Sequence, residues 1–190
     1  MTATKRGDIV RAAQELFGEV GFEKTGVREI AARAHVAVGT LYKHFGTGKV
    51  GVLQAALDDS SDRLAAIVAT TDETDPLEGF LDRAGRLNRA IVRDPFLRRV
   101  IREQDRVAEP RLREQGRAIA EMFATVGVRE LRRLIRQGAV RCDDPQAVQT
   151  LLRSATAGWM LWEETGIDQA THERMLNILL TALRGLLLPY

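Results

Sequence analysis

The chain has 190 residues, a net charge of +2 and one cysteine, Cys142. That length gives one or two small domains with enough chain to bury a core, and a single thiol excludes an internal disulfide and a cysteine metal cluster. The charge is unevenly divided: residues 1–50 hold eight Lys/Arg against five Asp/Glu, residues 51–190 twenty against twenty-one, and all four lysines, Lys5, Lys24, Lys43 and Lys49, lie in the first part. A basic unit on a near-neutral body is the footprint of phosphate contact by one domain.

Taken in chain order, Ile9, Ala12, Ala13, Leu16, Phe17 and Val20 repeat at helical spacing, and Gly21 ends that helix. Val27, Ile30, Ala31 and Ala34 form one face of a short second helix, which Thr25 is positioned to cap through its hydroxyl. A turn follows around Ala34 to Ala37. Val38, Leu41, Tyr42 and Phe45 give a third short apolar face, with Thr40, Lys43 and His44 lying off it. Val52, Leu53, Ala56 and Leu57 begin a connecting helix, over about residues 50–69. Two short helices around a tight turn, followed by a basic residue at the start of the next helix, are the layout of a helix-turn-helix that presses one helix into a DNA groove.

This segment resembles the DNA-binding domain of the tetracycline-repressor (TetR) family of bacterial transcription regulators. The matching residues are Ala12-Ala13, Leu16-Phe17, Gly21-Phe22, Thr25, Val27, Ile30-Ala31, Ala34, Val36, Gly39-Thr40-Leu41-Tyr42, His44-Phe45, Lys49 and Leu53, about a quarter of the chain. Two departures stand out. Ala37 sits where the family usually has a capping Ser, and Val50-Gly51 replaces the usual acidic pair after the lysine. Position and resemblance together assign Tyr42 and Lys49 to phosphates and Thr40, Lys43 and His44 to the groove. Val38 and Gly39 at the start of the same helix join that set, and Thr25 and Arg28 are further phosphate contacts.

Beyond residue 72 the chain reads as helices punctuated by Pro and Gly. Pro76 opens one that carries Leu77, Phe80, Leu81, Ala84, Leu87 and Ile91. Asp94-Pro95 opens the next, Pro110 a long one to about Gln137 that Gly127 bends or splits, and Asp144-Pro145 another to about Glu164. Thr171 caps a last helix ending near Leu187. No strand alternation occurs, so the fold class is all-α with nine or ten helices: a three-helix DNA-binding domain over 1–50 and a helical ligand-binding and dimerisation domain over 51–190.

The last two helices are apolar nearly all round, which in a small domain points to burial by a second subunit. The seam is placed at Leu151, Ser154, Ala155, Gly158, Trp162, Ile178, Leu179, Ala182, Leu183 and Leu186. Burial against earlier helices alone is the other account of these faces. The resemblance also implies a dimer joined by a four-helix bundle from these helices.

Other constellations carry little. Gly46 to Gly51 matches G-x-G-x-x-G but follows a helix rather than a strand, so it is no dinucleotide site; a helix N-terminus with a lysine suits a DNA phosphate instead. His35, His44 and His172 have no metal spacing, and no nucleophile motif or Glu-x-x-His pair is present, so neither enzyme activity nor a cofactor is expected. Asp143 and Asp144 oppose a reactive thiolate at Cys142. The stretch Met175 to Leu188 is too short and too interrupted to span a bilayer, and no signal-peptide core is found; a soluble cytoplasmic protein is expected. Asn88, Gln104 and Gln115 fall on otherwise apolar faces, either as satisfied structural amides or, with Phe80, Phe96, Met122, Phe123 and Trp159, as the lining of a largely apolar pocket. The resemblance implies an inducer in this domain.

These residues predict a dimeric repressor that binds a pseudo-palindromic operator in duplex DNA and is released by a small, largely apolar inducer. The alternatives are an activator or ligand-independent regulator and, in a different class, a small-molecule-binding helical protein whose N-terminal unit contacts a protein partner.

Overall fold

The computed structural model describes residues 4–70, 75–103, 110–161 and 168–188, with the backbone alone for 110–112, 115–116, 118–120, 122–123 and 160–161. Among the described residues the chain is all helix and turn. The elements are α1 Lys5–Val20, α2 Val27–Arg33, α3 Val38–His44, α4 Lys49–Ala69, α5 Pro76–Arg93, α6 Pro95–Glu103, α7 Pro110–Arg136, α8 Pro145–Leu161 and α9 Gln169–Leu187.

Four of these helices begin on a proline. Proline lacks the N–H that a first helical residue leaves unbonded, and its φ is already set. Before three of those prolines an aspartate bonds the free amides that follow. Asp75 Oδ1 accepts from Leu77 N and Glu78 N, Asp94 Oδ1 from Phe96 N and Leu97 N, and Asp144 Oδ1 from Ala147 N, all within 3.1 Å. The cap of α9 corrects the sequence expectation. Asp168, not Thr171, is the capping residue, and its carboxylate accepts from Thr171 N at 2.7 Å. Hydrogen bonds from the Thr171 side chain and then from its backbone N–H hold the Asp168 carboxyl below the usual carboxylate range. Glycine at 127 does not split α7, which runs unbroken past it. The tip of the Gln149 side chain of α8 lies where a Cβ at 127 would stand.

The chain packs as two compact units. The first comprises residues 1–63 and 93–116, the second 64–92 and 117–190. In the first, Ile9, Ala13 and Phe17 of α1, Ile30 of α2, Leu41 of α3, Val52 and Ala56 of α4 and Phe96 of α6 are almost fully buried. Phe17 is central, with ring centroids of Phe22 and Phe96 at 5.5 and 6.2 Å. Removing such a ring costs on the order of 3–5 kcal/mol. In the second unit Leu77, Phe80 and Leu81 of α5, Leu131 and Leu134 of α7, Val140, and Leu183 and Leu187 of α9 make one core. Ion pairs tie its helices at the rim: Arg83 to Glu130, Arg89 to Glu173 at 2.9 Å and Arg184 to Glu78 at 2.5 Å.

The first unit reaches past residue 50 because α6 lies against α1. Gly18 permits it: a Cβ there would stand 3.1 Å from Phe96 N and from the carbonyl carbon of Pro95. Backbone atoms cannot yield as a side-chain tip can. Gly18→Ala sets a helix-propensity gain of about 0.5–1 kcal/mol against overpacking of about 1–3 kcal/mol. Net destabilisation is expected in urea unfolding; a more stable variant would show that α6 does not sit tightly on α1.

Candidate DNA interface and the polar cluster of the second unit

The turn between α2 and α3 closes by a Schellman arrangement. His35 N donates to Ala32 O at 3.1 Å and Val36 N to Ala31 O at 2.9 Å, with His35 at φ 54°. The end of α7 repeats the pattern: Gly138 N bonds Ile135 O, Ala139 N bonds Leu134 O, and the left-handed residue is Gly138 at φ 69°. Histidine therefore occupies in the first unit a conformation that glycine fills in the second. Ala37 then stands at the N-cap of α3 with no side-chain bond to the helix, as its departure from a capping Ser predicts.

Across α3 the apolar face expected from spacing splits. Leu41 and Phe45 are buried, whereas Val38 and Tyr42 are exposed, Tyr42 by half. Gly39, Lys43 and His44 are exposed and Thr40 is half-buried. Gly48, in the left-handed region at φ 62°, leaves room for the Tyr42 ring, which would lie 3.1 Å from a Cβ. Arg28, in the first turn of α2, is exposed.

Two expected contacts are placed differently. Thr25 is buried, and its hydroxyl donates to Gly21 O at 2.8 Å, so it ties the end of α1 to the start of α2 instead of facing a phosphate. The N-cap of α2 is Gly26, whose amide donates to Glu29 Oε2 at 2.7 Å. The Lys49 ammonium turns back onto the loop after α1. It donates to Phe22 O at 2.9 Å and Glu23 O at 3.3 Å and lies 4.3 Å from the Phe22 ring centroid. Two of its three protons are thus used within the fold. Arg33 joins α2 to α1 through Glu15 and Glu19 at 3.3 and 3.2 Å. The Arg33 hydrogen bond, with its charge adding, holds the Glu19 carboxyl below its ordinary value, so this tie is present above that range and is lost as pH falls through the lowered value.

In the second unit Asn88 is buried and bridges two helices. Its Nδ2 donates to Thr156 Oγ1 at 2.8 Å, and Thr156 in turn donates to Leu152 O at 2.8 Å. That chain orients the amide, so Asn88 Oδ1 is the acceptor for the buried His172 Nε2–H at 2.9 Å. The Trp159 ring meets His172 edge-on, centroids 5.1 Å apart. Asn88 and Trp159, both expected pocket residues, therefore come together through His172 and Thr156, which sequence reasoning missed. A usable signal existed: His172 lies on the buried stripe of Leu176, Leu183 and Leu187.

The other pocket residues do not all join them. Phe80 is in the apolar core of its unit. Phe96 packs in the first unit against Phe17, a correction. Gln104 lies outside the described residues, as do the side chains of Gln115, Met122 and Phe123.

On α8 and α9, Leu151, Ser154, Ile178, Ala182 and Leu186 are exposed, Ile178 by 70% and Leu186 by 68%. Ala155 and Gly158 are half-buried, and a Cβ on Gly158 would meet nothing within 4 Å. Leu183 corrects the predicted seam: it is fully buried in its own unit's core, and Leu179 packs against the same core. Trp162 lies outside the described residues. Burial pushes the Cys142 thiol up and the Asp143 charge adds to it, while a hydrogen bond from the Asp144 backbone opposes, and the net rise is against a reactive thiolate.

Two short helices around a closed turn, resting on a third, make the first unit a helix-turn-helix. Residues 9–56 match the family model for bacterial regulatory proteins of the tetR family. The HTH-type transcriptional repressor Rv3405c of Mycobacterium tuberculosis is 40% identical over 85 residues, 44% of this chain and 45% of that protein. The aligned stretch thus spans about half the length of the curated relatives it matches. Among solved structures, the ketosteroid transcriptional regulator KstR2 of M. tuberculosis has a TM-score of 0.70 at 25% identity, over 100% of this chain and 98% of that one. The FadR regulator of Bacillus subtilis, in complex with stearoyl-CoA, has a TM-score of 0.71 at 20% identity, over 91% and 96%. The helix-turn-helix unit is thus similar to the DNA-binding domain of the tetR family of bacterial regulatory proteins, and the fold of the chain to that of solved regulators.

Two expectations follow from this geometry. Because a non-glycine left-handed residue costs on the order of 1 kcal/mol, His35→Gly should raise the unfolding free energy by a few tenths to 1 kcal/mol. A fall would mean that the His35 side chain holds the turn. Asn88→Leu should cost about 1–3 kcal/mol by stranding the His172 N–H. In a double-mutant cycle with His172→Phe the two losses should be non-additive; simple additivity would deny the bond.

Proposed function

We propose that the protein is a dimeric transcriptional repressor, released from its operator by a small molecule, with residues 1–50 as its DNA-binding domain and 51–190 for ligand and dimerisation. The observation that carries the DNA-binding part is the division of α3: Leu41 and Phe45 face inward while Tyr42, Lys43 and His44 face out. A helix presented in this way fits a major groove, with Thr40, Lys43 and His44 toward base edges and Tyr42 and Arg28 toward phosphates. Lys49 acts first by holding the loop after α1 and offers its third proton to a phosphate.

The exposed apolar surface of α8 and α9 supports a homodimer. Leu151, Ser154 and Gly158 recur at intervals of three and four, as do Ile178, Ala182 and Gly185 on α9. Small residues in both stripes let helices approach closely. An exposed patch of this kind marks an association surface. A two-fold dimer would set its recognition helices about 34–36 Å apart, or a multiple, over a pseudo-palindrome.

The Asn88, Thr156, His172 and Trp159 cluster is the polar point of the ligand site in this reading. The stearoyl-CoA held by the Bacillus subtilis FadR supports a ligand with a large apolar part. By linkage, a ligand that lowers DNA affinity is itself bound more weakly by the DNA complex, by the same factor.

The test is selection of bound fragments from the source genome, followed by titration at several salt concentrations. Recovery of a pseudo-palindrome is expected, with affinity falling steeply in salt by a log–log slope of about 0.9 per phosphate neutralised. No salt-dependent binding to any duplex would sink the proposal and favour a protein partner. Gly158→Arg should give monomer or unfolded chain in analytical ultracentrifugation, since a long charged side chain would enter a close-packed seam. A stable dimer would place the interface elsewhere.

A further inference from the structure

We propose that Arg6 is a further DNA contact, a guanidinium held beside the recognition helix to take a phosphate of the duplex; this rests on the DNA-binding reading above. Arg6 is exposed in the first turn of α1. Its Cζ lies 5.3 Å from the ring centroid of Phe45. Phe45 is buried and is the residue on which α3 ends. The ring that anchors the recognition helix therefore also positions an arginine from a different helix at its C-terminal end.

The manner of holding matters. Among the described residues of the first unit, Arg11 pairs with Asp8, Arg33 with Glu15 and Glu19, and Arg63 with Asp59 and Asp94. Those carboxylates already balance the charge that each of these guanidinium groups would otherwise offer a phosphate. A guanidinium set over an aromatic ring is held without a carboxylate, so its fork of donors remains available to a bidentate oxyanion.

The position also runs against the stability of its own helix. Thr4 caps α1 through Gly7 N, so Lys5 and Arg6 are its first two residues. Cations at a helix N-terminus oppose the macrodipole, where an acidic residue would help. Two basic residues there weaken the free protein, and an approaching phosphate reverses the sign of that interaction.

The test compares Arg6→Ala and Arg6→Lys with the parent protein on a mixed-sequence duplex and on a selected genomic fragment over a salt series, with thermal melts alongside. Arg6→Ala should lose roughly tenfold or more in affinity for both duplexes. Its log–log salt slope should be shallower by about 0.9 per subunit, nearly two per dimer. Arg6→Lys should keep the slope and lose part of the affinity, since it retains the charge without the fork. Unchanged affinity and slope in Arg6→Ala overturn the inference. So does a loss of affinity at unchanged slope with a lowered melting temperature, which would make Arg6 a clasp on Phe45. If the parent itself shows no salt-dependent binding, the DNA-binding reading falls as well.

Discussion

Seven residues are too few for an α-helix to hold itself in water, and α3 has seven. Its shape is therefore imposed by what it rests on. Leu41 is fully buried and Phe45 nearly so, and their burial in the core of α1, α2 and α4 supplies what local propensity cannot. No cap assists, since Ala37 offers no side-chain acceptor. The turn before it is held by backbone bonds through a histidine in a glycine conformation. With the inward side committed to anchoring, Tyr42, Lys43 and His44 are left to the outside, and the chemistry that α3 can offer is theirs.

The same economy explains what could be read from the residues alone. Helix positions were legible because proline and aspartate mark their starts by a local rule, and local rules do not depend on tertiary context. Four helices begin on Pro, and the expected ends at Ala69 and Leu187 match α4 and α9. The family match was legible because its motif is contiguous. Side-chain destinations were less so. Thr25, a plausible cap with an oxygen in the right place, spends its hydroxyl on Gly21 O because the chain reverses there. Lys49 is adjacent in space to Phe22 and Glu23, and nothing in the spacing of residues 22 and 49 announces it. Phe96 was placed with the second domain by its position in the chain, yet its ring belongs to Phe17 and the first unit. Leu183 and Leu186 look alike in sequence; three positions on a helix are enough to bury one and expose the other by 68%.

Helices α8 and α9 each serve two ends, and the distinction is one of angle about the axis. On α9, His172, Leu176, Leu183 and Leu187 turn inward, while Ile178, Ala182 and Leu186 turn out. An apolar stripe left in water has a free-energy cost, and so does a polar group placed inside. The inner stripe carries such a group at His172, kept tolerable by Asn88, whose amide is itself oriented by Thr156. A purely apolar interior at this point would be simpler to stabilise. Retaining a carboxamide, a hydroxyl and an imidazole edge-on to Trp159 is an arrangement with use for hydrogen-bonding capacity, and in the proposed function that use is recognition of a ligand's polar end.

The packing units do not follow the order of the chain. Residues 93–116 cluster with 1–63, so the chain passes between units after residues 63, 92 and 116. All three crossings fall within helices: α4, the last turn of α5, and α7. One crossing is short in chain terms: Asn88 lies on α5, six residues before Asp94, and Asp94 both caps α6 and meets Arg63 of α4 at 3.4 Å. Helix α6 in turn lies on α1 at Gly18, where no Cβ would fit without a shift. Since α1 carries the helix-turn-helix, tight packing at Gly18 makes α6 part of the body on which the recognition helix is built, and a core of that density leaves little room for α6 to shift alone.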